Sequence, residues 1–433
     1  MSIVESMVTS IEQYHPYGYI LQQTTAVNKT FVHLGLEMGK GFSEQHSVAK
    51  EYLVTIIQKN KKGIGIARKI LYPAHNASQE IDAVNSYALL LAEVAPIPEF
   101  PLASKINKSQ ELDFNLEEQY SLKLDEFFRL PNRSITHFRL DMTTIGERIM
   151  TSEGTNVEQS FSKVHYEMNV EVNNKELMVY GGASSPAEIN LESLFIDAKE
   201  TATIVGLATR VEPQSGPIVL EGLTTQQFFL QKRGGNPLIT QTSAEAVYSS
   251  NCKVPLGMIL CKDEKNLTIE SKHNSSLGGR LVDSFGTPTR SIILIKDGVV
   301  NDYSGDLQYV TWVNKNKERF KKYVLDVTLT PGVLGHIHVK GGEYSTEELK
   351  SVENAVVIKT FSDLAMEHNG DISAEVRAGY VNRRGKKIPF CGNVLVGNLF
   401  DSLHGVKLSE DIMTLDNYTG PSTILFTQGL RLV

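Results

Sequence analysis

Two proline-bearing breaks constrain the fold of this 433-residue chain more than any other feature of its sequence. One break extends from Pro96 to Asn107 and the other from Pro213 to Pro217. Proline removes a backbone donor and disfavours helix at the residue before it, so regular secondary structure is expected to stop at both. The chain is also longer than one hydrophobic core usually supports. We therefore predict three domains, over residues 1–106, 107–211 and 212–433.

Each of the first two segments combines strand patterns with one helical pattern. In the first, two β-rich runs flank Asn60-Lys-Lys, which predicts a β-hairpin, and an apolar stripe at helical spacing runs from about Gln79 to Ala95. In the second, polar and apolar residues alternate before a helix that Asn190 is placed to cap. Both segments are therefore predicted to be mixed α/β domains with antiparallel strands.

The third segment is rich in strand patterns separated by short turns. Asp297-Gly298 is the pair that a two-residue hairpin turn favours. Ser345 and Glu348 have the spacing of a capping box, which predicts the start of one short helix. We expect an antiparallel β-rich domain here, barrel-like or sandwich-like. The fold class predicted for the whole chain is α+β.

The bulk composition excludes several classes of protein. The formal charge of −7 argues against nucleic-acid binding by attraction to phosphates, and the basic clusters at 315–322 and 383–387 are better explained by a solvated helix face and a hairpin turn. No apolar run approaches the ~20 residues of a membrane helix, and residues 1–6 lack the pattern of a secretion signal. The cysteines form no C-x-x-C pair, so we predict a cytoplasmic protein with free thiols at Cys252, Cys261 and Cys391.

Several short motifs follow one another along the last two segments. Residues 278–301 read GGRLVDSFGTPTRSIILIKDGVVN. The others are ERIMTSEG at 147–154, LTPG at 329–332, YSTEEL at 344–349, GDIS at 370–373, GNLF at 397–400 and GPSTIL at 420–425. In this order they resemble the motifs of the TldD/PmbA family, whose members are described as metallopeptidases or as modulators of DNA gyrase. The resemblance is clear from about Glu147 onward, and it implies the same β-rich C-terminal domain.

The resemblance also implies where a zinc site would be. A peptide-cutting member of the family carries H-E-x-x-x-H early in its third domain and a cysteine ligand later. Two imidazoles at that spacing can hold one metal, and the glutamate can serve as general base. Here residues 218–236 read IVLEGLTTQQFFLQKRGGN, without histidine or cysteine, and residues 417–422 contain no cysteine. The chain therefore resembles the non-catalytic type of the family, usually called PmbA or TldE.

Two other groups of residues are alternatives to the missing site. His336 and His338 share one face of a predicted strand, and Glu343 follows them, which makes these three residues weak candidates for a metal site. Cys391 is a candidate nucleophile, although a buried strand cysteine is the commoner case and no histidine stands beside it in sequence. The prediction for this chain is therefore no catalytic residue and no metal ligand.

Some motif residues are predicted to shape the backbone instead of binding a ligand. The Gly-Thr-Pro turn feeds a strand, and a carboxylate ahead of such a turn often binds its own backbone. The family-motif positions predicted to be structural are Asp283, Gly286, Thr287, Pro288, Gly397 and Asn398.

The function predicted from these observations is that of a non-catalytic PmbA/TldE-like subunit. It would pair with a zinc-bearing TldD-like peptidase as a heterodimer and help to enclose unfolded peptide for proteolysis or peptide maturation. Peptides commonly bind such clefts as added β-strands. On this hypothesis the chain has no cofactor of its own, and the zinc belongs to the partner. Two alternatives stay open: a self-sufficient hydrolase with a non-standard site, and a peptide-binding factor that acts as a homodimer or larger homo-oligomer.

Overall fold

The computed structural model describes residues 3–35, 41–73, 76–95, 97, 99–103, 105–110, 116–130, 134–173, 175–230, 236–261, 267–273, 280–324, 327–415 and 417–433. Its helices are α1 (Ile3–Glu12), α2 (Ala77–Val94), α3 (Leu116–Arg129), α4 (Leu191–Leu207), α5 (Leu223–Phe229), α6 (Pro237–Thr240), α7 (Ala244–Tyr248), α8 (Leu307–Lys315), α9 (Lys317–Val324), α10 (Thr346–Lys350) and α11 (Leu399–Ser402). The strands of the first half are β1 (Gly18–Leu34), β2 (Phe42–Lys59), β3 (Ile64–Leu71), β4 (Asn107–Gln110), β5 (Ile135–Thr151), β6 (Asn156–Val172) and β7 (Lys175–Ala183). Those of the second half are β8 (Ile218–Glu221), β9 (Ile269–Lys272), β10 (Ile292–Lys296), β11 (Val299–Val300), β12 (His336–Val339), β13 (Val356–Met366), β14 (Asp371–Arg383), β15 (Lys386–Phe390), β16 (Asn393–Asn398), β17 (Val406–Leu408), β18 (Ile412–Leu415), β19 (Tyr418–Pro421), β20 (Thr423–Phe426) and β21 (Leu430–Leu432).

The first seven strands form one sheet that curves into a half-barrel. Its order is β3-β2-β1-β5-β6, and β4 and β7 both pair with β6. All pairs are antiparallel except β4–β6. The sheet crosses the predicted boundary at residue 106, because β1 of the first segment pairs with β5 of the second. The first two predicted domains therefore share a sheet, while the three-domain division itself stays a prediction.

The hairpin and the helix predicted in the first segment are both present. β2 and β3 form the antiparallel hairpin. Helix α2 packs on them, and the Asn76 side chain caps it by accepting from the N–H of Gln79. The helix approaches the sheet so closely that a Cβ on Gly65 would lie 2.0 Å from the Ala88 carbonyl oxygen. Only glycine permits this contact between helix and strand.

Helices α3 and α4 pack against the half-barrel sheet at a separate hydrophobic core. Phe127 of α3 stacks on Phe138 of β5 with ring centroids 4.1 Å apart. Helix α4 begins as predicted, because the Asn190 side chain accepts from the N–H of Ser193 at 2.9 Å. The cap and the apolar face together place α4 on β6 and β7.

The second half of the chain contains two sheets around one large core. One has the order β11-β10-β9-β12-β19-β18, and the other has the order β17-β20-β8-β13-β14-β16-β21 with β15 beside β14. Most pairs are antiparallel, and β12–β19 and β8–β13 are parallel. The predicted α+β class is confirmed. None of the helices in the described ranges is long and apolar enough to cross a membrane.

The local motifs predicted in the second half are also present. Asp297 and Gly298 turn between β10 and β11 with φ of 49° and 77°, the left-handed values that a type I′ turn requires. The Ser345 hydroxyl accepts from the N–H of Glu348, whose carboxylate accepts from the N–H of Ser345. Both features depend only on neighbouring residues, which is why the sequence predicts them.

Candidate functional site

Helix α5 occupies the stretch in which the family resemblance places a zinc motif. It follows the central strand β8, and its threonines fix it to the surrounding strands. The Thr224 hydroxyl donates to the Ile358 carbonyl at 3.1 Å, and the Thr225 hydroxyl donates to the Leu220 carbonyl at 3.0 Å. The helix is therefore held rigidly at the edge of the large core.

A cavity of about 480 Å³ lies beside α5. All three sheets contribute to its wall, through β7, β12 and β13. Its lining includes Tyr180, Gln226, Gln227, Ile337, Phe361 and Ser362. An apolar wall with a few polar groups is the usual composition of a ligand pocket.

Gln227 is the polar side chain of this cavity with an unfilled hydrogen-bonding position. Its Nε2 donates to the Tyr180 hydroxyl at 2.6 Å, which orients the carboxamide between α5 and β7. Its Oε1 is buried and has no hydrogen-bond partner among the described residues. A buried carbonyl oxygen without a donor carries a desolvation cost, so an N–H group from a ligand would stabilise it.

A second cavity of about 380 Å³ adjoins the first, and Tyr180 lines both. Strands β7 and β18 and the start of α4 surround it, with apolar side chains such as Val179, Leu194, Met413 and Leu415. β18 is the last strand of its sheet. Both polar and apolar side chains therefore line the two cavities beside α5.

Charged residues on two sides hold the start of α5 in place. Glu221, at the end of β8, forms ion pairs with Lys350 at 3.1 Å and Lys359 at 3.2 Å, and Lys359 also contacts Asp197 of α4 at 3.1 Å. Burial lowers the pKa of both lysines, but carboxylates outweigh it and raise the pKa: Glu347 and Glu221 act on Lys350, and Asp197 and Glu221 act on Lys359. This network was not predicted from the sequence, because its members come from four distant elements.

The candidate histidines lie on the other face of their strand. Side chains alternate along β12, and Ile337 faces the first cavity, so His336 and His338 point away from it. His336 is buried beside the Thr419 hydroxyl at 2.8 Å, and burial, with smaller contributions from His338 and Lys272, lowers its pKa to about 4. Neither histidine contributes to the cavity beside α5.

The remaining candidate residues are dispersed. Glu343 lies between β12 and α10, and Cys391 follows β15, where its N–H donates to the Thr209 carbonyl at 3.3 Å. Within the ranges that the structure describes, no three His, Cys, Asp or Glu side chains are grouped as a metal site requires. Cys252 and Cys261 are buried, Cys391 is partly exposed, and none of the three is in a disulfide.

The signature segment forms a turn around Asp283. The Asp283 carboxylate accepts from the N–H of Phe285 at 2.8 Å and from that of Thr287 at 2.9 Å, and Gly286 has a φ of 79°. Pro288 closes the turn as a bridge partner of Val282. Burial raises the pKa of Asp283, although the two N–H groups oppose this shift. All of these contacts are internal to the loop.

The same segment also attaches the second half of the chain to the half-barrel sheet. Arg280 forms a 2.9 Å ion pair with Glu147 of β5, whose other oxygen accepts from Gln159 at 2.9 Å. Phe285 packs between the Phe100 ring, 5.9 Å away, and the Arg68 guanidinium, 4.7 Å away. This contact was not predicted from the sequence, although Glu147 and Arg280 are oppositely charged residues near the start of two family motifs.

Two further motifs, GDIS and GNLF, are joined through Asn398. Its Oδ1 accepts from the N–H of Phe400 at 3.0 Å and caps α11, while its Nδ2 donates to Asp371 at 3.0 Å. A Cβ on Gly397 would lie 2.0 Å from the Gly429 carbonyl oxygen, so this position needs glycine. Gly397 and Asn398 therefore contact backbone groups and residues of the neighbouring motif.

A family profile described as PmbA/TldA metallopeptidase C-terminal domain matches residues 237–429. These residues therefore resemble a PmbA/TldD C-terminal domain. The family resemblance predicted from the motifs is thereby confirmed. The matched PmbA/TldD region begins at the first residue of α6, directly after the stretch that contains α5.

Solved structures similar to the whole chain extend this result to its fold. TldE from Thermococcus kodakarensis aligns with a TM-score of 0.73 at 13% identity over 100% of both chains. A Thermotoga maritima protein named as a modulator of a DNA gyrase aligns at 0.72 and 16% identity over 99% of both chains. One from Bacteroides thetaiotaomicron, named in the same way, aligns at 0.75 and 13% identity over 99% of this chain and 97% of that one. These likenesses show the fold alone, and no curated protein matches the chain.

Proposed function

We propose that this chain is a non-catalytic, peptide-binding subunit that acts with a zinc-bearing TldD-like peptidase. The main support for the proposal is the set of side chains on helix α5. This helix lies where the family resemblance places the zinc motif, and it contributes two glutamines, not imidazoles, to the cavity. A carboxamide is a poor ligand for zinc but a good partner for a peptide bond, because it offers both a donor and an acceptor.

The two cavities offer the contacts that an unfolded peptide requires. Their apolar walls can accept side chains of many kinds, and Gln227 Oε1 can accept a main-chain N–H. Among the described strands β18 has one paired neighbour, so its other edge can take a peptide as an added strand. Main-chain recognition of this kind suits substrates of varied sequence.

On this proposal the two proteins have different tasks. A TldD-like partner would hold the zinc, which supplies an activated water for hydrolysis. The residues of this chain would hold and orient the peptide beside it, through Gln227, Tyr180 and the apolar wall. Retention of the whole frame without imidazoles on α5 supports a partner subunit more than a separate peptidase.

The proposal is tested first by zinc content and chromatography. The chain is purified alone and after co-expression with a TldD-like protein from the same genome. We expect no zinc in the isolated chain, co-elution of the two proteins, and about one zinc per pair, as one catalytic site requires. Separate elution, or stoichiometric zinc in the isolated chain, would contradict the proposal; His336→Ala and His338→Ala would then show whether β12 holds that zinc.

Peptide binding is tested separately in the isolated chain with a fluorescent unfolded peptide. Ser362 is exposed at the first cavity, so Ser362→Trp should fill its entrance and reduce peptide affinity. Ser373→Trp is the matched control, because Ser373 is an exposed serine on the neighbouring strand β14 and does not line the cavity. Equal effects of the two variants would place peptide binding outside the cavity.

A further inference from the structure

The second cavity, of about 380 Å³, lies between the edge strands of two different sheets. Among the described strands β7 pairs with β6 alone, and β18 pairs with β19 alone. Leu415 of β18 approaches β7 closely, because a Cβ on Gly181 would lie 2.8 Å from the Leu415 Cδ1 atom. The half-barrel sheet and a sheet of the second half of the chain therefore meet at this cavity.

The lining of the second cavity is apolar where it is buried and acidic where it is charged. Tyr166 and Ile189 are its large buried residues. Partly buried apolar side chains form much of the remaining wall, namely Val179, Leu194, Leu223, Met413 and Leu415. Its charged residues among those that the structure describes are Glu188 and Asp197, and both are exposed. The cavity therefore combines open apolar surface with an acidic rim.

We propose that the second cavity binds a large apolar side chain of the peptide whose main chain Gln227 holds. This assignment rests on the proposed function, and it adds a preference for one class of residue. Tyr180 lines both cavities, so one extended peptide can contact both. An apolar cavity of about 150 Å³ is enough to bind benzene in another protein. The second cavity therefore has room for a leucine, methionine or phenylalanine side chain.

The geometry of β18 directs side chains of an added strand toward this cavity. Met413 and Leu415 are two residues apart on β18, so their side chains share one face of the sheet, and both line the cavity. In a strand paired with β18, the residues opposite these two have side chains on the same face. Every second side chain of the peptide would therefore point to the cavity. The flexible thioether of Met413 can adapt to apolar side chains of different shape.

The acidic rim disfavours an acidic side chain at the same position. The Glu188 carboxylate accepts from the N–H of Ser184 at 3.1 Å, and the Asp197 carboxylate pairs with Lys359 at 3.1 Å. Both carboxylates are held at the rim by these contacts. No lysine or arginine in the described lining would pair with a glutamate of the peptide, which would lose its hydration on entry. The expected order of preference is therefore large apolar, then small, then acidic.

The test compares fluorescent host peptides that differ at one central residue. The host contains alanine, serine and threonine, and the central residue is leucine, alanine or glutamate. Affinity for the isolated chain is measured by fluorescence anisotropy. We expect the leucine peptide to bind about tenfold more tightly than the alanine peptide, because its side chain leaves water on binding. The glutamate peptide should bind no more tightly than the alanine peptide. Equal affinities for the leucine and alanine peptides would overturn the assignment.

A variant that fills the second cavity links this preference to its location. Ser193 is an exposed residue of α4 in the lining, so Ser193→Trp should reduce the preference for leucine from about tenfold to about twofold or less. The affinity for the alanine peptide should change little. Ser121→Trp is the matched control, because Ser121 is an exposed serine of α3 and does not line the cavity. This control should keep the full preference for leucine.

Failure of this assignment is distinguishable from failure of the proposed function. Ser362→Trp, which fills the entrance of the first cavity, should weaken the leucine and alanine peptides by the same factor. If no peptide binds, or if Ser362→Trp has no effect, the proposed peptide site is wrong and the assignment of the second cavity falls with it. If Ser362→Trp weakens both peptides but Ser193→Trp leaves the preference for leucine unchanged, only the role of the second cavity is overturned.

Discussion

The buried carboxylates at the signature segment and the Gln227 carboxamide beside α5 are in opposite hydrogen-bonding states, although the Thr287 hydroxyl of the signature segment also lacks a partner among the described residues. The carboxylates of Asp283 and Glu147 each accept hydrogen bonds from residues around them. Gln227 Oε1 accepts none from the described residues. Buried polar groups in proteins are nearly always paired. The comparison therefore associates the paired carboxylates with folding and the unpaired carboxamide with ligand binding.

Arg280→Ala should have the largest effect, because it leaves the Glu147 carboxylate buried without its cation. The Glu147 side chain is only 3% exposed. The Arg280 side chain is 41% exposed, so its loss should cost less than that of a fully buried partner, about 2 kcal/mol in the free energy of unfolding, which urea denaturation measures. Arg148→Ala is the control, since Arg148 pairs with the exposed Glu158 and should cost less than about 1 kcal/mol. Equal losses of stability in the two variants would show that the Arg280–Glu147 ion pair stabilises the fold no more than an exposed pair does.

Gln227→Ala should have the largest effect on binding and little effect on folding. Removal of one main-chain hydrogen bond in a buried site lowers affinity about tenfold, or ~1.4 kcal/mol. Affinity for an unfolded peptide is measured by fluorescence anisotropy and stability by urea denaturation. Gln13→Ala, at an exposed position near the end of α1, is the control for loss of a carboxamide. A loss of stability without a loss of affinity would make Gln227 a structural residue like Asp283.

Asp283→Asn tests the satisfied region through its pH dependence. Burial raises the pKa of Asp283 above its ordinary 3.8. A carboxyl with a higher pKa in the folded state adds stability below 3.8 that is lost as the pH rises through the raised pKa. Asparagine keeps an acceptor for both N–H groups and does not titrate. The variant should therefore lose this part of the pH dependence and match or exceed the wild-type stability at neutral pH, by up to about 1 kcal/mol.

The measurement is urea denaturation from acid to neutral pH for the wild-type chain and two variants. Asp283→Ala is the control, because it removes the acceptor of both loop hydrogen bonds and should cost about 1 to 2 kcal/mol at neutral pH. If the asparagine variant were as unstable as the alanine variant, the carboxylate charge itself would stabilise the turn.

Tyr180→Phe should have the smallest effect. In peptide binding the hydroxyl is expected to act by orienting Gln227, so its removal should weaken peptide binding about threefold, or ~0.6 kcal/mol. The same anisotropy assay measures it, with Gln227→Ala and the double variant beside it. Because both changes act through one carboxamide, the double variant should bind no more weakly than Gln227→Ala alone. Additive losses would mean that the tyrosine contacts the peptide independently.

The features predicted correctly from sequence depend on residues close together in the chain. The Asp297-Gly298 turn, the Ser345–Glu348 capping box and the Asn190 cap each lie within a few positions. Their hydrogen bonds form whatever the distant parts of the molecule do. Helix and strand patterns are of the same local kind, which explains why the α+β class was predictable.

The contacts that define the candidate site were not predictable in this way. Arg280 and Glu147 are 133 positions apart, and Gln227 and Tyr180 are 47 positions apart. A single sequence does not show which sheets lie next to each other, so the cavity beside α5 could not be predicted. From the sequence alone, the glutamines of α5 indicated only that the imidazoles of a zinc motif were missing. The shared half-barrel sheet was missed for the same reason, because β1 and β5 lie on opposite sides of the Pro96–Asn107 break.

Within its two turns, helix α5 uses some residues to pack against the core and others to line the cavity. Thr224, Thr225, Phe228 and Phe229 are buried, and the two threonine hydroxyls tie the helix to neighbouring strands. Gln226 and Gln227 line the cavity. Natural variation or protein engineering can therefore exchange the chemistry of these two positions while the anchors of the helix stay in place, which makes the scaffold tolerant to gain or loss of an active centre.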